Sequence, residues 1–473
     1  MSIPASTINP AASDGDAVSL ADKSGLFGHP SGLTTLFFTE LWERFSYYGM
    51  RAILVLYMVA PLSQGGLGFT NSVAAQIYGF YTMCVYVVAI GGGIIADKFL
   101  GPKLCIMIGG SIIAVGHFTL AIHKIEAFYA GLILIVLGTG LLKPNISSLL
   151  GRLYSKDDDR RDGGFSIFYM GINIGAALSP LVCGYLAQSP DFQKYIVSKG
   201  FQPHDSWHFG FAAAGFGMII GLAHFLFQYK KLGGAGGRPV VEKQLDGGQE
   251  SKVEKQPLSG DEIKRLGAIG ILFFFAMLFW AVYEQGGSSL NLFADKLTNN
   301  SIFGWEFPSS WFQSLPAVYC ILLAPVFSFL WVKMGHKQPS SPAKFAIGLA
   351  LLGGGIALMV PASMLATHGK VDPMWLVASY WLQVLGEMCL SPVGLSTVTK
   401  LAPIRFASIT MGTWFLATAA GNWLAGYMAS FFDEKNTSGM VTLFGTMGGI
   451  LFVAALILWL LTPLVRKLMV GIR

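Results

Sequence analysis

The sequence predicts an all-α membrane protein of twelve transmembrane helices in two six-helix bundles, and three observations lead there. Apolar residues make up 53% of the 473 residues and charged residues only 12%, about half the ~25% usual in a soluble domain. Apolar stretches long enough to cross a bilayer, roughly 20 residues each, recur along nearly the whole chain. Basic residues then alternate between the two ends of those stretches.

Residues 1–32 are rich in Ala, Ser, Asp and Pro and lack a basic segment followed by an apolar core, so they read as a disordered tail and not a signal or transit peptide. Six spans are expected near 33–60, 72–97, 103–121, 127–149, 163–188 and 208–228. Six more are expected near 265–294, 309–332, 343–365, 373–399, 405–432 and 439–465. The abundant glycine (58 residues) suits helices packed closely in lipid. With this assignment 23 of the 32 Lys and Arg fall on the side of both termini, six fall on the other, and Arg44, Arg51 and Lys143 lie inside spans. Cytoplasmic segments carry the basic excess, so both termini are expected to be cytoplasmic. The net charge of +6 is accordingly a topology signal, and no nucleic-acid partner is expected. The five cysteines all sit in apolar runs, which reads as packing and not as disulfides or a metal cluster.

Residues 229–264 form one sizeable polar linker, expected to be flexible and cytoplasmic. It divides the chain into an N-terminal bundle over 33–228 and a C-terminal bundle over 265–465, followed by a cytoplasmic tail over 466–473. That layout is the major facilitator fold, whose substrate site lies between the halves at mid-membrane. The loop after span two reads Gly93-x-x-x-Asp97-Lys98-x-x-Gly101-x-Lys103 and resembles that fold's cytoplasmic loop signature. Gly93 would allow close helix approach, and Asp97 would accept from a helix N-terminus or a basic residue.

Ionisable groups within spans cost several kcal/mol unless paired or hydrated, so they are functional candidates. Span one reads FFTELWERFSYYGMRAILVLYM. Glu40, Glu43, Arg44, Tyr47, Tyr48 and Arg51 stand at offsets 0, 3, 4, 7, 8 and 11, an arc of about 140° at ~100° per residue. They share one face. Lys143, before the helix-kinking Pro144, lies too deep to reach the interface and is expected to pair with a span-one carboxylate. Glu284 falls in span seven and Glu387 in span ten, with Ser391 one turn on. Asn173 in span five can donate and accept hydrogen bonds.

Four in-span carboxylates stand against three cations, and a proton would neutralise the odd one, as proton coupling requires. About 2.3 kcal/mol per charge at 100 mV and about 1.4 kcal/mol per pH unit would drive a gradient of roughly several hundredfold per proton. Arg51 and Lys143 are cationic while Glu387, in the other half, is anionic, a pattern that suits a small zwitterion. The residues alone thus point to a proton-linked carrier of small zwitterions.

At these positions the chain resembles the proton-coupled oligopeptide transporter family of the major facilitator superfamily. Residues 40–49 reproduce that family's ExxERFxYYG pattern. Further matches are GTGLLKPNISS at 138–148, FSIFYMGINIGA at 165–176, FWAVYEQGGSSLNLFAD at 279–295, LGEMCLSPVGLS at 385–396 and MGTWFLATAAGNWLAG at 411–426. The resemblance implies proton-driven uptake of di- and tripeptides by alternating access, with protons as the coupling ion and no cofactor or metal. Glu40, Glu43, Arg44, Glu284 and Lys143 would couple protons. Arg51 and Lys143 would bind the peptide carboxylate, with Arg51 paired to Glu284 when the site is empty. Glu387 would hold the amino terminus and Asn173 the backbone. Tyr47, Tyr48, Tyr86, Trp414 and Ser391 would line side-chain pockets.

Three departures qualify the match. The Asn that often precedes a Pro in span eight is absent, the stretch reading Gln313-Ser314-Leu315-Pro316-Ala317. Gly79 stands where animal members carry a His. The linker is too polar to hold the two extra helices of many bacterial members. The alternatives are a carrier of nitrate or another small anion on the same fold, or a peptide-sensing receptor, for which neither linker nor tails offer a signalling domain. No enzyme motif occurs at a membrane face. A monomer in a plasma or bacterial inner membrane is expected.

Overall fold

The computed structural model describes residues 22–155, 158–237, 259–402 and 407–470. Residues 1–21 of the expected tail, 238–258 of the expected linker and 471–473 of the C-terminal tail lie outside the described residues. Among those described, the first half holds α1 (Ser31–Val59), α2 (Asn71–Ile95), α3 (Pro102–Leu120), α4 (Ile125–Gly151), α5 (Arg161–Gln188) and α6 (Ser206–Phe227). The second holds α7 (Gly260–Tyr283), α8 (Leu315–Met334), α9 (Ser341–Ala357), α10 (Met374–Leu401), α11 (Ala407–Ala429) and α12 (Thr437–Leu468). Nine of the described helices are long and apolar enough to cross a membrane; α1, α10 and α11 fall outside that set, and α1 carries Glu40, Glu43, Arg44 and Arg51.

Local chemistry sets the helix ends. Thr70 accepts the Val73 N–H at 3.3 Å and caps α2. Gly101 takes φ 75° before Pro102, the first residue of α3. Ser259 and Glu262 form a reciprocal capping box on α7, and Asn436 caps α12 through the Gly439 N–H at 2.8 Å. Gly286 and Gly287 break α7, and the chain resumes as a short helix over Ser289–Lys296. Two elements were not expected from the sequence: a helix over Pro190–Ser198, and a hairpin of β1 (Ser301–Ile302) and β2 (Trp305–Glu306).

Within the first half α1 packs on α5 and α6, and α4 on α2 and α3; within the second, α9 packs on α10 and α12. The halves meet through α2 against α11 and α5 against α8, so the second and fifth helices of each half exchange partners across the seam. Gly79 and Gly426 meet there backbone to backbone, since a Cβ on Gly79 would stand 2.5 Å from the Gly426 Cα. Only glycine fits that crossing, which is why no His can occupy it.

The described chain start is held in place as well. The Asp22 carboxylate accepts the Ser31 N–H at 2.8 Å and caps α1. Arg160 donates to the carbonyls of Asp22 and Gly28, at 3.0 and 3.1 Å. Part of the tail expected to be disordered is thus docked on the α4–α5 connection.

Candidate substrate and proton site

The charged face of α1 is buried, with Glu40, Glu43 and Arg44 all under 5% exposed. The Arg44 Nε lies 3.0 Å from a Glu40 oxygen and also donates to Glu43. One guanidinium cannot neutralise two carboxylates. One oxygen on each carboxylate and one Arg44 nitrogen are left buried without a partner. Such a group is costly, and a proton placed on either carboxylate would remove the excess charge and supply a donor.

Two turns on, Arg51 reaches across the seam. It donates to the Tyr78 hydroxyl at 2.8 Å and forms an ion pair with Glu284 at the break in α7. Its guanidinium also stands 5.5 and 5.6 Å over the rings of Tyr47 and Tyr48, a distance suited to cation–π attraction. Tyr47 lies between Arg44 and Arg51 and is 4% exposed, while Tyr48 is half-buried against α5 and α8. Lys143 does not pair with a span-one carboxylate: its Nζ sits 4.0 Å over the Tyr86 ring. The span-one pair already engages Arg44, and the aromatic face on α2 is the nearer partner.

Across the seam Glu387 has no basic partner among the described residues. Tyr283 donates its hydroxyl to it, and the Cys320 thiol lies 3.6 Å away. Asn173 is buried on α5 and donates to the Tyr169 carbonyl at 3.0 Å. Gln313 donates to the Gly286 carbonyl at 2.5 Å and to the Tyr380 hydroxyl at 3.2 Å, so the span-eight segment that lacks the expected Asn braces the α7 break. Ser391 is half-buried one turn beyond Glu387. Trp414 is buried within the second half against Phe273 and Gly394, whereas its neighbour Phe415 faces Tyr86 across the seam.

In the α2–α3 connection Asp97 and Lys98 are exposed, and Asp97 lies 3.5 Å from Arg152. The close helix approach belongs to Gly92, whose missing Cβ makes room for the Gly140 carbonyl; a Cβ on Gly93 would meet only Pro144, at 4.0 Å.

Tyr78, Tyr283, Cys320 and Phe415 were not assigned from the sequence. Tyr283 had a readable signal, being adjacent to Glu284. Cys320 looked like packing, and Tyr78 like one aromatic among many.

The hydrogen bonds that join the halves among the described residues gather on the side away from Asp22 and Val470. Besides Arg51–Glu284 they include Asn291 to the Ala52 carbonyl at 2.8 Å, Asn71 to Glu434 at 2.5 Å and Gln188 to Ser309 at 2.9 Å.

The POT family model matches residues 103–245 and 240–450. The chain is 41% identical to the uncharacterized transporter YclF of Bacillus subtilis, over 95% of this chain and 97% of that one. It is 36% identical to the peptide transporter YePEPT of Yersinia enterocolitica, over 94% and 96%. It is 34% identical to a di-/tripeptide transporter of Lactococcus lactis, over 94% and 98%. Among solved structures, that of a peptide transporter POT in complex with alafosfalin superposes with a TM-score of 0.86 at 40% identity, covering 97% of this chain and all of the other. A POT family transporter in complex with 5-aminolevulinic acid gives a TM-score of 0.83 at 31% identity, covering 94% and 98%.

Proposed function

Because this chain belongs to the POT family, a family of multi-pass membrane transporters, we propose that it imports di- and tripeptides together with protons by alternating access. The single observation that carries the proposal is the placement of opposite charges on the two sides of the seam. Arg51, ion-paired with Glu284, stands on one half and Glu387, with hydroxyl and thiol neighbours only among the described residues, on the other. A zwitterionic peptide satisfies both ends at once and draws the halves together, whereas an anion such as nitrate gains nothing at Glu387.

In this reading Glu40, Glu43 and Arg44 load and release the proton with Glu284 and Lys143. Arg51 and Lys143 receive the peptide carboxylate, Glu387 the amine and Asn173 the backbone. Tyr47, Tyr48 and Tyr86 border the side-chain space with Ser391. Trp414 supports that space from behind Phe415. All twelve long helices cross the membrane, α1 because its charges turn inward, and both termini are cytoplasmic. The gathered ties then close the outer side, and the state is inward-facing. Coupling uses protons alone, with no cofactor and no catalytic step, and a monomer suffices.

The test is uptake of labelled di-Ala into proteoliposomes under an imposed pH gradient and membrane potential. Accumulation above an ionophore control is expected. Nitrate accumulation without di-Ala accumulation would overturn the reading.

A further inference from the structure

The hairpin between α7 and α8 turns through Phe303 and Gly304, both in the left-handed region at φ 52° and 81°. Asn-Gly or Asp-Gly adopts such a two-residue turn with least strain, and a Phe pays a conformational penalty there. Its side chain is nevertheless fully exposed (106%), flanked by Ile302 at 47% and Trp305 at 58%. A strained, bare Phe is poorly suited to a tip that faces water.

Trp305 fixes the level of this tip along the bundle. Its ring lies 5.4 Å from Trp311, whose indole N–H donates to the Leu181 carbonyl of α5 at 3.1 Å on an exposed face. Leu181 stands seven residues before the end of α5, about 10 Å down its axis. The 28 residues of α5 span about 42 Å against a hydrocarbon core of about 30 Å. A centred α5 leaves hydrocarbon about 6 Å from its end. The Trp311–Leu181 bond then lies inside that boundary, and Trp305 packs on the ring that makes it. The surface of these helices is apolar: Leu178, Val182 and Tyr185 of α5 are exposed, as is Leu322 of α8, the helix packed on α5. The base of the hairpin is polar and bonded, with Asn299 N–H on the Val371 carbonyl and the Asn300 amide on the Ala294 carbonyl.

We propose that the tip Ile302–Trp305 is a membrane-inserted anchor, seated at the headgroup–acyl boundary of the leaflet away from the termini. Phospholipid is its occupant, because the apolar tip is joined through Trp311 to α5, whose exposed surface is apolar, and Trp is suited to that boundary. The anchor fixes the stretch Ser309–Trp311, which ties α8 of one half to α5 of the other through Gln188. This rests on the membrane placement alone and is independent of what is carried.

The test compares tryptophan emission of the wild type and Trp305→Phe in nanodiscs whose phospholipids carry bromine near the start of the acyl chain. The difference, which is the Trp305 emission, is expected to be quenched by these lipids. In a Phe303→Asp background, the corresponding difference should lose bromine quenching and gain quenching by aqueous iodide. If the difference emission of Trp305 shows no bromine quenching, the tip lies in water or against a second copy, and the proposal fails whatever iodide does.

Discussion

Replacing Glu284 with Gln should convert the Arg51 contact from an ion pair to a hydrogen bond from a charged donor to a neutral acceptor. Arg51 and Glu284 are 13% and 9% exposed in their side chains, so solvent screens them little. Hydrogen bonds to charged groups contribute about 1.5–3 kcal/mol; with two charged partners at the upper end and one at the lower, the loss is roughly 1–1.5 kcal/mol. The bonds of Asn291, Asn71 and Gln188 across the seam are untouched, so the sealed side should loosen without falling open. That loss corresponds to roughly a five- to tenfold rise in the ratio of open to sealed molecules on that side. Spin labels at Lys199 and Lys370, exposed residues of opposite halves, report it as a new long-distance population. Gln cannot take up a proton, so pH-driven peptide accumulation should be lost as well. An unchanged distance distribution together with intact pH-driven accumulation would refute the reasoning.

Three further outcomes are expected. Glu43→Gln removes one of two carboxylates sharing Arg44, so proton-driven accumulation should vanish while counterflow exchange stays measurable; loss of both would make Glu43 a structural residue. Arg51→Ala should weaken binding of peptides with a free carboxylate by about tenfold or more, worth ~1.5–3 kcal/mol for a charged hydrogen bond, and leave amidated peptides little affected; equal affinities would remove Arg51 from the site. At the docked chain start, burial and then the Arg160 guanidinium hold His29 below its usual range, against an opposing pull from Asp158, and the ring sits 2.9 Å from the Tyr154 hydroxyl. A depressed histidine favours the folded form above the unfolded value of about 6.5 and withdraws that support as pH falls through it. Amide protection at Gly28 and His29, corrected for intrinsic rates, should therefore drop between pH 7.5 and 5.5 in the wild type but not in His29→Gln, and pH-independent protection in the wild type would contradict it.

Much of this architecture was legible because lipid enforces simple rules. A charge inside an apolar run is conspicuous, so Glu40, Glu43, Arg44, Arg51, Glu284 and Glu387 could be singled out without a fold. Helical spacing then put the span-one group on a single face, where the structure places it. Partners were harder to read, because pairing depends on how helices cross. Lys143 is as near in sequence terms to an aromatic as to a carboxylate, and only the α2–α4 packing selects Tyr86. Gly92 and Gly93 are equally small, and only one faces the Gly140 carbonyl. Trp414 and Phe415 differ by about 100° around α11, enough to send one into the second half and the other to the seam. Uncharged polar groups such as Tyr78 and Cys320 carry no such flag, although one bonds Arg51 and the other stands against Glu387.

The contact of Gly79 with Gly426 has a mechanical side. With no side chain between the two backbones there is no rotamer to yield, so the crossing acts as a hard stop and a fulcrum. From Gly79 to the end of α2 at Ile95 is about 24 Å of helix. A tilt of only about 15° about such a pivot moves that far end by about 6 Å. Each half can therefore swing widely on the side of the termini while the fulcrum itself scarcely moves.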